Sequence, residues 1–83
     1  MKIYVKNSKD EILPIENISE NTQVKVIKQK IIDKYNIDTT NEEVVLIHNG
    51  SQLEDDDETL DYYDISEGIT ILFVRKYIAG YNK

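Results

Sequence analysis

Side chains able to carry catalysis are scarce in this chain. His48 is the only histidine and there is no cysteine. Neither a Cys–His pair nor a Ser–His–Asp triad therefore has support. The densest group of possible ligands is the run Glu54-Asp55-Asp56-Asp57-Glu58. Carboxylates attract hard cations, but this run lacks the mid-loop glycine and terminal glutamate spacing of an EF-hand. No catalytic residue, metal site or cofactor is expected, and the chain does not read as an enzyme. The absence of cysteine also removes disulfides and thiolate metal sites.

The charge is acidic and lopsided. The net value is −6 over 83 residues. Every Lys and Arg lies in Lys2–Lys34 or Arg75–Lys83, and the intervening stretch holds Asp38, Glu42, Glu43, the 54–58 run, Asp61, Asp64 and Glu67. Nucleic acid and anionic membrane need clustered cations, so neither is expected as a partner. A solvated acidic edge serves solubility. It would also suit a basic partner. The chain opens directly into β-type alternation, with no signal-peptide core and no apolar run long enough to span a bilayer. A cytoplasmic or nuclear setting is expected. Asn17-Ile18-Ser19 and Asn49-Gly50-Ser51 match the glycosylation sequon and are read as turn chemistry.

The elements that position these residues follow from hydrophobic period. Met1–Lys6 alternates, with Ile3 and Val5 on one face. Asn7-Ser8-Lys9-Asp10 is a turn cluster. Ile12–Ile15 resumes the extended pattern with Leu13 and Ile15 inward, and Pro14 marks an edge strand. The period then changes to about 3.6. Val24, Ile27, Ile31 and Tyr35 form one stripe flanked by Ile32, while Val26 falls opposite. Thr22 is the expected N-cap and Asn36 a left-handed stop. Val44–His48 and Ile69–Val74 are strands apolar on both faces, Asn49-Gly50 is a hairpin turn, and Gln52-Leu53 is a very short strand. Thr59–Ile65 is too short for a stable helix and is expected to tuck Leu60, Tyr63 and Ile65 under a loop.

One helix and one sheet define an α+β unit, with a mixed sheet of about four to five strands and the helix packed on one face. Strands apolar on both sides are normally covered on both sides. One helix covers one. With Ile71 and Phe73 inward, Leu72 and Val74 must point to the uncovered face. Val45 and Ile47 join them if Val44 and Leu46 point in.

Five segments, in order, resemble ubiquitin: Met1–Lys6, Lys28–Lys34, Gly50–Asp55, Thr59–Ile65 and Thr70–Lys76. The resemblance covers essentially Met1 to Gly80 and implies the β-grasp fold. It also implies a protein-binding patch on the open sheet face, with Ile47 and Val74 at the family's isoleucine and valine positions. Leu72 replaces a histidine there, Val45 an arginine, Ser8 a leucine in the first turn, and Ser51 the lysine most used for chain building. The implied partner-binding set is Ser8, Val45, Ile47, His48, Gly50, Leu72 and Val74.

Conjugation in this family needs a Gly-Gly end, and the matching positions here are Ala79 and Gly80. Ala79 departs from that pattern, because a Cβ is costly where only glycine's backbone angles fit. The expected function is that of a non-conjugated ubiquitin-like domain at residues 1–76, with 77–83 a tail or the start of a linker. It would be the N-terminal module of a longer protein, monomeric, binding ubiquitin-receptor or proteasome-pathway proteins. The acidic loop and an apparent lack of Lys or Arg around the patch suggest a partner combining apolar and basic contacts. A modifier processed to Gly80 and conjugated to targets, or a subunit of a fixed assembly, are the alternatives.

Overall fold

The structure, a computed structural model, describes residues 1–78. The Ala79-Gly80 positions and Tyr81–Lys83 lie outside the described residues. The elements are β1 (Ile3–Lys6), β2 (Ile12–Ile15), α1 (Val24–Tyr35), β3 (Glu42–His48), β4 (Ser51–Gln52), a 3-10 turn at Asp61–Tyr63, and β5 (Thr70–Tyr77). The five strands form one sheet in the order β2-β1-β5-β3-β4. β1 and β5 are parallel and the other pairs antiparallel.

Local chemistry explains the turns. The Asn7 side-chain oxygen accepts the N–H groups of Lys9 and Glu11 at 2.9 and 3.0 Å, which folds the chain from β1 back into β2. Asn49 and Gly50 both have positive φ, 54° and 77°, as a two-residue hairpin of type I′ demands. Asn17 is left-handed too, so both sequon asparagines sit in turns. Asn36 ends α1 at φ 52° with its N–H on the Ile32 carbonyl.

The N-terminus of α1 is held differently from expectation. The N-cap is Gln23, with no side-chain cap, while the Thr22 hydroxyl accepts the Ser19 N–H at 2.9 Å instead. The free N–H groups of Val24 and Lys25 donate to the carbonyls of Glu58 and Asp56 at 2.9 and 3.0 Å. A segment thirty residues downstream in the chain thus takes over the capping that Thr22 was expected to supply. Lys25 and Lys28 then bind Asp57 and Asp56 at 2.9 and 2.7 Å. The acidic loop is fastened to the helix, where its negative charge also suits the dipole.

Val24, Ile27 and Ile31 are fully buried against Ile3, Val5, Leu46, Ile71 and Phe73. Leu60 and Ile65 complete the core from the loop, and Val26 is exposed. Several strand boundaries differ from the sequence expectation. β4 is Ser51–Gln52, and Leu53 is instead a core residue whose N–H reaches the Leu46 carbonyl at 2.9 Å. β3 begins at Glu42, not Val44, because β5, expected over Ile69–Val74, spans Thr70–Tyr77 and its last residue pairs with Glu42.

The parity of β5 predicts opposite outcomes for adjacent residues. Ile71→Ala should cost about 2–5 kcal/mol in urea unfolding, as for other buried aliphatic truncations. Leu72→Ala, one position on, should change stability by less than about 1 kcal/mol. A second prediction concerns the loop after α1. The Thr40 hydroxyl and N–H both donate to the Asp38 carboxylate, at 2.6 and 3.0 Å, holding its pKa below the ordinary value. A depressed folded pKa stabilises above the unfolded value and is lost as pH falls through the folded one. The melting-temperature gap between wild type and Asp38→Asn should therefore be present at neutral pH and close on acidification below pH of about 4.

Candidate protein-binding face

The face opposite α1 is built from alternate residues of all five strands. Register places Ile47 directly across from Leu72, and Val45 across from Val74. The four form a two-by-two aliphatic block. Leu72 is 45% exposed and Val74 38%, Ile47 is half-buried, and Val45 is only 7% exposed. Val45 is buried yet stands apart from the helix-side core. It floors the block, whereas Leu72, Val74 and Ile47 present area to a partner.

The other expected site residues divide. His48 ends β3 opposite Ser51 and is half-buried, but strand alternation turns it to the helix side with Leu46, away from the block, and Gly50 forms the turn that follows. Ser8 is exposed in the β1–β2 turn and belongs to a different cleft, shared with Tyr35 and Phe73. No cluster of His, Asp or Glu able to hold a metal occurs among the described residues. No described helix is long and apolar enough to cross a membrane.

The electrostatic surroundings of the block overturn one expectation. Lys6 stands next to Leu72 in the β1–β5 register, and Lys76 follows Val74 with two-residue spacing on the same face. Cations therefore border the aliphatic block. Lys6 was invisible in the sequence because it reaches Leu72 only through a parallel pairing of the two ends of the chain, whereas Lys76 follows from its spacing to Val74. The acidic loop meanwhile is spent on the N-terminus of α1. The rim is mixed in charge, since Asp10 lies 3.6 Å from Lys6 and Glu43 stands opposite Lys76 in register.

The sequence pattern did not single out two further side chains here, the exposed Ile12 and the half-buried Tyr4. Ile12, 57% exposed, lies across Lys6 from Leu72, so the row runs Ile12, Lys6, Leu72, Ile47, Gln52. Tyr4 is on the same face, with the Lys2 ammonium 5.6 Å from its ring centre. The signal for Ile12 was its parity opposite Leu13.

A mixed five-stranded sheet with one helix across it and an open aliphatic face defines a ubiquitin-like β-grasp domain. The family model described as the ubiquitin family matches residues 3–77, and the chain belongs to that family. A search of curated proteins finds no match.

Gly50 supplies a test of the turn that joins β3 to β4. Its φ is 77° and a Cβ there would meet nothing within 4 Å. Gly50→Ala should therefore cost about 1–2 kcal/mol through backbone conformation alone. Its amide spectrum should change only near His48–Ser51.

Proposed function

We propose that this domain acts by binding proteins, as a non-conjugated ubiquitin-like module, N-terminal in a longer protein, and not by catalysis. The observation that carries the proposal is the exposed pair Leu72 and Val74, set against Ile47 and Val45 on the face that α1 leaves open. Each such side chain buried by a partner contributes about 1.5–3 kcal/mol before association costs. Three of them support a transient interface of modest size. The partners are ubiquitin-receptor or proteasome-pathway proteins in the cytoplasm or nucleus, presenting an apolar surface to the block. Ala79 in place of the family's glycine favours the module over a conjugated modifier.

Titration of ubiquitin-receptor modules into labelled domain should move the amide signals of Ile47, Leu72 and Val74. Ile47→Ala with Val74→Ala should keep the fold and weaken binding by about tenfold or more, the equivalent of one lost aliphatic contact. Unchanged spectra for the wild type would reject the proposal. Incubation with activating enzyme and ATP checks the modifier alternative, since a thioester at Gly80 would replace the non-conjugated assignment.

A further inference from the structure

β5 is flanked on both sides for only part of its length. β1 pairs with it from Thr70 to Leu72 and then turns away, whereas β3 pairs with it from Leu72 to Tyr77. Among the described residues no strand lies beside the other edge of Phe73–Tyr77. The Ile78 N–H donates to the Asn41 carbonyl at 3.1 Å, which continues the β3–β5 ladder. Hydrogen-bonded positions alternate along an antiparallel ladder, so Val74 and Lys76 turn their N–H and C=O toward β3. Arg75 and Tyr77 turn theirs to the open side. The Tyr4 N–H on the Ile69 carbonyl, at 2.9 Å, gives the same parity from the β1 side.

Where β1 turns away, the hairpin stands off from β5 and leaves a cleft of about 370 Å³ between Asn7–Lys9 and Phe73–Arg75. Tyr35 and Phe73 line it, with ring centres 5.6 Å apart. Glu11 in its wall is held by the Asn7 amide at 2.8 Å. Unpaired backbone and a partly aromatic hollow thus lie side by side.

We propose that this edge accepts an extended acidic peptide as an added strand, one apolar side chain entering the Tyr35–Phe73 cleft and the alternating carboxylates meeting Lys76 and Lys9. Strand addition uses main-chain bonds for affinity and alternate side chains for choice. The charges select the occupant. A second copy pairing antiparallel about Arg75 would set Arg75 against Arg75, and like charges directly opposite oppose pairing. Lys6 and Arg75 are already held by Asp10 and Glu42, at 3.6 and 2.8 Å. Lys9 and Lys76 have no ion-pair partner among the described residues, although Lys76 faces Glu43 in register. This edge shares Val74 and Lys76 with the aliphatic block but not Ile47 or Leu72, so readouts at Lys9, Arg75 and Tyr77 separate its test from that of the block.

The probe is a synthetic peptide of alternating valine and aspartate, with a valine–lysine peptide as control. The acidic peptide should shift the amides of Lys9, Arg75 and Tyr77 and slow hydrogen exchange at the Arg75 and Tyr77 N–H groups. The basic peptide should do neither. Tyr77→Pro removes an outward N–H without touching the β3 ladder and should weaken binding about tenfold. Lys9→Glu, a change outside the aliphatic block, should do the same through charge, and carries the test if proline disturbs the strand. Equal binding of both peptides, shifts confined to Ile47 and Leu72, a peptide-free dimer, or no binding would each overturn the proposal.

Discussion

α1 is one twelve-residue helix laid across a five-stranded sheet, and it can bury only one face of that sheet. Val24, Ile27 and Ile31 meet Ile3, Val5, Leu46, Ile71 and Phe73 there, and this contact closes the core. A domain this small has no second layer to spare. Aliphatic residues at the alternate positions of β3 and β5 therefore stay on the surface, held in fixed register by the same strands whose other sides are buried. The rigidity of the exposed face comes directly from the core beneath it.

The core also depends on how the helix is started. With no side-chain cap of its own, α1 takes its first hydrogen-bond acceptors from the carbonyls of Asp56 and Glu58. The same loop sends Leu60 and Ile65 into the core and is fixed again by the Asp55 N–H on the Tyr63 hydroxyl at 2.9 Å. The acidic run that drew notice as a possible ligand set is part of the scaffold. Two of its five carboxylates, Asp57 and Asp56, are paired with Lys25 and Lys28 on the helix.

Much of this was legible in the chain. Period-two and period-3.6 patterns gave the strands and helix, and Asn49-Gly50 and Asn36 gave a turn and a stop, because each of these signals acts over a few residues. The capping of α1, the end of β5 at Tyr77 and the burial of Leu53 were not legible. Each depends on a partner segment far away in sequence: Asp56–Glu58 for the cap, Glu42 for Tyr77, Leu46 for Leu53. Val45 shows the same limit from another side. Parity gave its direction correctly, but its near-complete burial comes from neighbours on adjoining strands.

The sequence by itself determined which side chains share a face, since that follows from the alternation of the backbone, and it determined that one face would lack cover. Tertiary structure alone decided what borders that face. The parallel pairing of β1 with β5 brings Lys6 beside Leu72, and the docking of the 54–58 loop on α1 takes its carboxylates elsewhere. It also decided that β5 outruns β1 and keeps one edge open. Such features arise where the two ends of the chain meet, and no local pattern encodes the register of that meeting.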